Sequence, residues 1–231
     1  MNFSASRPCS PSRFWLAYAR WVLSGLLLAG YWVSGWLRPD AGWENHWIEN
    51  VQVAVLVGGL LFAAIAFRRA PPGSELRCLA LFTLPIWALC AARELSWGAT
   101  FLTAGTMGHD GPSFTSRDLW YRPGIAPLVV VALAFSVYVF LRYRLDRPLF
   151  DLVRRRQFPW FELALCVAAA VLAAAVEGHV GGLALPGVGA AKETMEEWWE
   201  TLVYLGLATA QMRIFTTLSD GQAASTAVGR R

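Results

Sequence analysis

Six blocks of apolar sequence, each about 20 residues long, constrain this chain more than any other feature. A hydrocarbon core of about 30 Å needs about 20 helical residues to cross it, and no block alternates with the period of a strand. Because a helix satisfies its own backbone in lipid, the sequence predicts an all-α, polytopic membrane protein with a bundle of six transmembrane helices. The predicted helices cover about residues 14–37, 48–67, 78–101, 123–143, 160–180 and 193–213, within a single transmembrane domain spanning 1–231.

Composition agrees with a membrane protein. Hydrophobic residues make up 56% of the chain and charged residues 16%, against about 25% charged residues in ordinary soluble proteins. Disordered chains have the opposite composition, and a soluble enzyme would not carry its apolar residues in such long blocks. The first block follows a basic segment, as in a signal peptide, but no clean A-x-A site follows it, so an uncleaved helix is expected.

The basic residues alternate between the predicted loops. Fourteen of the 20 lie before the first block or after the second, fourth and sixth blocks, and four lie in the other loops. The positive-inside rule then predicts that both termini lie in the cytoplasm, with six spans between them. Residues 214–231 are expected to form a flexible cytoplasmic tail.

The net charge of +4 is therefore interpreted as topology anchoring, and no nucleic-acid partner is expected. The run Arg154, Arg155 and Arg156 is expected to lie near anionic lipids of the bilayer, or to act as a plain stop signal. Small residues recur at four-residue spacing, as in Gly59 and Ala63. This spacing lets helices approach closely and allows a homo-oligomer.

Acidic residues gather on the side opposite to most arginines. The predicted topology places Glu49, Glu94, Glu177 and the opening of the last block there, with Arg93 beside Glu94. Glu193, Glu197 and Glu200 share one helix face, because they are spaced at i, i+4 and i+7. Ionisable groups inside a membrane usually mark a functional path. The sequence therefore predicts a periplasm-facing polar cavity lined by Glu49, Arg93, Glu94, Glu177 and Glu200.

Carboxylates brought together share protons, bind a cation or pair with an arginine. The first choice predicts proton coupling. The second predicts a divalent-cation site that includes His46 or His179. The third predicts a structural lock formed by Arg93, and the acids of the last block also suit a helix N-terminus as plain dipole partners.

Motifs for hydrolysis are weak. The three histidines form neither H-x-x-x-H nor H-E-x-x-H, which zinc hydrolases use, and no G-x-S-x-G motif is present. Ser96 is the one serine beside membrane charges, and packing or a bond to a carbonyl one turn earlier is the simpler interpretation.

The stretch Ala92-Arg93-Glu94-Leu95-Ser96-Trp97-Gly98 resembles a motif of uncharacterised bacterial multi-helix inner-membrane proteins, in which two acids precede an aliphatic residue and Ser-Trp-Gly-Gln. The acidic entries to the second and sixth blocks resemble the same group. Arg93 and Ala99 depart from its pattern. The stretch Trp43-Glu44-Asn45 resembles the alkaline ceramidase class, although the paired histidines of that class are absent.

Three functions follow as hypotheses. The preferred one is binding or transport of a small polar or cationic solute, with proton coupling as a variant. The second is an intramembrane, metal-dependent lipid hydrolase similar to ceramidases, with metal held by His and Glu. The third is a structural or assembly subunit whose ion pairs only fasten helices.

Overall fold

A computed structural model of the chain describes residues 11–103, 105–108, 111–178 and 192–228. This part of the chain is dominated by helices. They are α1 (Pro11–Trp36), α2 (Trp47–Arg69), α3 (Glu75–Glu94), α4 (Ala99–Leu102), α5 (Arg122–Arg142), α6 (Asp146–Arg154), α7 (Trp160–Glu177) and α8 (Lys192–Val228). Two short strands, β1 (Thr106–Gly108) and β2 (Gly111–Ser113), pair antiparallel with Thr106 opposite Ser113.

Four helical segments of the described ranges are long and apolar enough to cross a membrane. They are Asp40–Arg69, Glu75–Glu94, Arg122–Arg142 and Trp160–Glu177. Each segment contains few charged residues. Its exposed side chains are mostly hydrophobic, as in α5, where only Ser136 and Val139 are buried. The chain is therefore a helical protein with four candidate membrane spans.

The long helices run alternately between two ends of the bundle. Helix α8 is antiparallel to α3, because Tyr204 contacts Glu94 while Gln211 contacts Trp87 farther down both helices. It is also antiparallel to α1 and α7. We call the end that holds Glu49, Glu94 and Glu200 the acidic end, and the end that holds Arg20 and Arg213 the arginine end.

Helix α8 joins two hydrophobic cores. One core lies between α2, α3 and α8 and includes Leu56, Trp87 and Phe215. The other lies between α1, α7 and α8 and includes Leu23 and Trp199. Direct hydrogen bonds also link the helices of each core. For example, the indole N–H of Trp199 donates to the carbonyl of Leu27 (3.4 Å). Helix α8 is thus the central element of the bundle.

Helix α3 ends at Glu94, earlier than the predicted boundary near residue 101. Ser96, Trp97 and Gly98 have φ angles of 46°, 59° and 93°, a left-handed conformation that stops an α-helix and is unfavourable for residues with a Cβ. The hydroxyl of Tyr121 donates to the carbonyl of Trp97 (2.7 Å) and holds this turn. Residues Ala99–Leu102 then form the short helix α4.

Helix α6 was not predicted, because its charged residues suggested a loop. It is strongly amphipathic, with Pro148 and Leu152 buried and its charged residues exposed. Phe150 is exposed on this short helix, which is typical of a segment that lies along a membrane surface.

Helix α8 continues to Val228, beyond the predicted end at residue 213. Phe215 explains part of this extension, because its ring is buried and stacks on Phe62 at a centroid distance of 5.7 Å. Residues 214–228, predicted to be a flexible tail, are therefore helical. His109, His179 and residues 229–231 lie outside the described residues.

Candidate functional site

Glu94 is the central residue of the acidic end. It is the last residue of α3, and its side chain is only 9% exposed. The hydroxyl of Tyr204 on α8 donates to its Oε1 atom at 2.7 Å, and Nη1 of Arg93 lies 3.7 Å from the same oxygen. Arg93 itself is 67% exposed. Glu94 therefore accepts a short hydrogen bond from Tyr204 and forms a longer, solvent-exposed ion pair with Arg93.

Glu197 is held by a second helix. Gln52 on α2 is completely buried, and its Nε2 atom donates to Oε2 of Glu197 at 2.7 Å and to the Glu197 carbonyl at 3.0 Å. The Oε1 atom of Gln52 is buried and has no hydrogen-bond partner in the described part of the chain. A buried amide oxygen without a donor is costly, so this position favours a donor or a cation.

Electrostatic interactions link several acids of this end. The charge of Glu94 interacts with Glu49, Glu197 and Glu200, and that of Glu200 also interacts with Arg93 and Glu177. We call the set Glu49, Glu94, Glu177, Glu197 and Glu200, with Arg93, the acidic cluster.

Glu193 and Glu196 lie at the edge of the acidic cluster. Glu196 interacts with Glu193, Glu177 and Glu200, and with Lys192 at the start of α8. A site on the shared helix face of Glu193, Glu197 and Glu200 stays a prediction. Glu197 and Glu200 interact with Glu94, whereas Glu193 interacts with Glu196. Glutamates outnumber the cations Arg93 and Lys192, so this end has surplus negative charge.

Glu49 has a second, local role. Its carboxylate accepts a hydrogen bond from the backbone N–H of Asn45, just before α2 begins. A carboxylate that reaches back in this way stabilises a helix N-terminus. Glu44 similarly accepts the backbone N–H of Phe114 and fastens the loop after β2 to this end. Part of the acidic sequence before α2 is thus explained by local structure.

A metal centre has little support in the described ranges, where no group of three or more His, Cys, Asp or Glu side chains is arranged to hold an ion. His46 lies with its Nε2 atom 3.8 Å from Oδ2 of Asp40. His179, the other predicted metal ligand, lies outside the described residues.

Sequence reasoning missed a second charged site at the arginine end. Glu162, in the first turn of α7, is 1% exposed and lies between Arg20 of α1 and Arg213 of α8. Arg20 Nε donates to Glu162 Oε1 at 3.0 Å, and Arg213 Nε donates to the same oxygen at 2.8 Å. Arg213 also donates to the carbonyl of Leu16 (3.1 Å). We call Arg20, Glu162 and Arg213 the buried trio.

The sequence did contain a signal for the buried trio. Glu162 is an acid in an otherwise apolar block, and Arg20 interrupts the first block. A buried carboxylate requires a partner, but the pairing of residues 142 positions apart follows only from the packing of α1 on α7. Arg213, counted in the sequence as a topology residue, and Arg20, which the sequence places within the first helix, are therefore packing residues.

The Ser96-Trp97-Gly98 stretch forms the left-handed turn that directly follows Glu94. A Cβ atom added at Gly98 would lie 2.9 Å from the Tyr121 hydroxyl. This turn fixes where α3 ends and therefore where the Glu94 carboxylate lies.

Comparisons with protein-family models, curated proteins and solved structures give no match to this chain. The resemblance to bacterial inner-membrane proteins stays a prediction, as does the fainter resemblance to ceramidases.

Proposed function

We propose that the chain crosses a bacterial inner membrane six times, with both termini in the cytoplasm, and binds a small cationic or polar solute at the acidic cluster for transport. Helices α1 and α8 would supply the two spans beyond the four candidates, and their direction suits an alternating bundle. The arginine end would then face the cytoplasm, where Arg154, Arg155 and Arg156 would lie near anionic lipids.

One observation carries the binding proposal. Side chains that accept hydrogen bonds dominate the acidic end, and they come from three helices, α2, α3 and α8. The surplus carboxylates repel one another unless a cation or protons join them. The unpartnered Oε1 atom of Gln52 adds an acceptor beside Glu197. The acidic cluster has five carboxylates and one guanidinium, that of Arg93, so a cationic solute would provide positive charge that the cluster lacks.

Arg93 suggests how binding and release would be coupled. Its guanidinium interacts with both Glu94 and Glu200, and it is mostly exposed. A cation that enters the cluster replaces this guanidinium as the partner of the two carboxylates. When the cation leaves, Arg93 or protons neutralise them again, so the empty cluster is not left fully charged.

The test measures cation binding by the purified full-length protein. Na⁺, Mg²⁺, Ca²⁺ and methylammonium serve as probes in calorimetric titrations and thermal unfolding. A ligand at 100 times its Kd stabilises the folded state by about 2.7 kcal/mol. We expect at least one probe to stabilise the wild type, and Glu94→Gln and Glu200→Gln to lose most of that response.

Glu75→Gln is the matched control, because Glu75 is an exposed acid at the opposite end of α3. It should respond as the wild type does. The proposal would be wrong if Glu94→Gln and Glu200→Gln both responded to the cations as the wild type does. Proteoliposomes with an internal pH dye would then show whether the protein transports protons alone.

A structural subunit is the second candidate, because Glu94 and Glu197 already bond to neighbouring helices through Tyr204 and Gln52. In that case the ion pair only fastens the bundle. The double variant Arg93→Glu with Glu94→Arg would then keep the wild-type melting temperature and the copurifying partners, whereas a binding site would lose its cation response.

A further inference from the structure

The arginine end contains a cavity of about 260 Å³ with three arginines in its wall, Arg20, Arg156 and Arg213. Two of these belong to the buried trio, and Arg156 comes from the turn after α6. Asp220 is the one acid of the wall, and the other lining residues are Leu16, Gln157, Phe158, Thr216 and Thr217. The cavity is thus basic and half-enclosed between α1, α8 and the turn before α7.

The arginines of this cavity retain unused hydrogen-bond donors. Arg20 and Arg213 donate to Glu162 and Leu16 through their Nε and Nη2 atoms, and a guanidinium carries five N–H donors. Glu162 neutralises only one of these two charges. Arg156 adds a further guanidinium, so a positive charge remains after Asp220 is counted. Such a wall suits a phosphate group, which arginine binds through paired donors.

The described residues also enclose a second cavity, of about 270 Å³. Its wall is almost entirely apolar and includes Leu56, Phe82, Leu207 and Ile214. The polar side chains that reach it are largely paired, as Trp87 is with Gln211. Phe158 belongs to the walls of both cavities. A basic cavity and an apolar cavity therefore meet at one aromatic side chain.

We propose that the two cavities form one site for an anionic phospholipid. The phosphate lies against Arg156, with Arg20 and Arg213 behind it, and one acyl chain passes Phe158 into the apolar cavity. Each cavity is close to the lower end of the range of about 300–1,000 Å³ occupied by ligand sites.

The position of α6 supports a lipid as the occupant. This amphipathic helix directly precedes the turn that holds Arg156, and its residue Leu149 lines the apolar cavity. Amphipathic helices of this kind lie at the boundary between headgroups and acyl chains. A phosphate at Arg156 would lie at the depth of the headgroups, and a chain beside Leu149 at the depth of the acyl chains. The site is separate from the acidic cluster and does not depend on the proposed function.

The test uses the purified full-length protein in detergent and three probes: dioleoyl phosphatidylglycerol, dioleoyl phosphatidylcholine and inorganic phosphate. Binding is measured by native mass spectrometry and by the shift in melting temperature. We expect the anionic lipid to bind more tightly than the zwitterionic one. Loss of one charged hydrogen-bond donor should weaken this binding about tenfold in Arg156→Gln.

Two further variants separate the parts of the site. Arg147→Gln is the matched control, because Arg147 is an exposed arginine of α6 outside the walls of both cavities, and it should keep wild-type affinity. Leu207→Trp fills the apolar cavity and should abolish lipid binding while any response to inorganic phosphate persists. Leu207→Phe replaces it if the tryptophan variant does not fold.

Three results would overturn the proposal. They are equal affinity for both lipids, equal losses in Arg156→Gln and Arg147→Gln, and a full response to inorganic phosphate with no effect of filling the apolar cavity. The last result would identify a free anion as the occupant.

Discussion

The two ends of the bundle use the same residue types in opposite ways. At the arginine end, one buried carboxylate lies between two arginines and all three belong to different helices. At the acidic end, several carboxylates surround one mostly exposed arginine. The acid of the buried trio lies between two arginines, whereas the acidic cluster has more carboxylates than cations.

This difference separates a structural charge from a functional one. A buried acid with complete partners contributes to the packing of helices and has no capacity for a ligand. An acid that shares a single exposed cation with its neighbours keeps unused oxygens, which a solute or a proton can reach. The contrast predicts that stability depends on the buried trio and that cation binding depends on the acidic cluster.

The largest effect is expected for Glu162→Gln. Removing this charge leaves Arg20 and Arg213 facing each other without an acid, and breaking a buried pair costs about 3–5 kcal/mol. Denaturant unfolding in detergent should show a lower free energy of unfolding by roughly this amount. Glu75→Gln, an exposed acid, is the control. Equal stability of the two variants would contradict the structural role of Glu162.

Arg213→Gln and Arg93→Gln compare the two ends directly. Arg213 is 19% exposed and bonds to two groups, whereas Arg93 is 67% exposed. We expect a loss of about 2 kcal/mol for Arg213→Gln, within the range for charged hydrogen bonds, and less than about 1 kcal/mol for Arg93→Gln. Thermal unfolding of both variants measures these two losses of stability. A larger loss for Arg93→Gln than for Arg213→Gln would contradict the difference between the two ends.

The apolar layer between the two ends provides a neutral reference. A Cβ at Gly59 would lie 2.8 Å from the ring of Trp87, whereas nothing lies within 4 Å of one at Gly58. Gly59→Ala should therefore lose about 1–2 kcal/mol through overpacking. Gly58→Ala should be neutral or slightly stabilising, since alanine is the better helix former. Equal melting temperatures would show that α2 and α3 pack less closely there.

The smallest effect on stability is expected for Glu94→Gln. An amide oxygen still accepts the hydrogen bond from Tyr204, and the change removes repulsion from Glu49 and Glu200. The free energy of unfolding should change by less than about 0.5 kcal/mol, the lower end of the net worth of one hydrogen bond, while the cation response is lost. A stability loss as large as that of Glu162→Gln would assign Glu94 to packing instead.

Several features were predictable because they depend on composition or on short spacings. Apolar blocks indicated helices α2, α3, α5 and α7 to within a few residues. The grouping of Glu49, Glu94 and Glu200 followed from counting helices between them. Helix α6 was missed because a charged amphipathic segment resembles a loop, and the end of α3 was misplaced because its left-handed turn contains only one glycine.

The sequence by itself determined that the chain is a helical membrane protein with acids and arginines at opposite ends, since hydrophobic length and charge position act locally. The tertiary structure decided which charges are neutralised. Glu162 meets Arg20 and Arg213, and Glu197 meets Gln52, only because α8 packs between α1, α2 and α7. Those partners are more than 50 residues from each acid along the chain, so no local pattern could identify them.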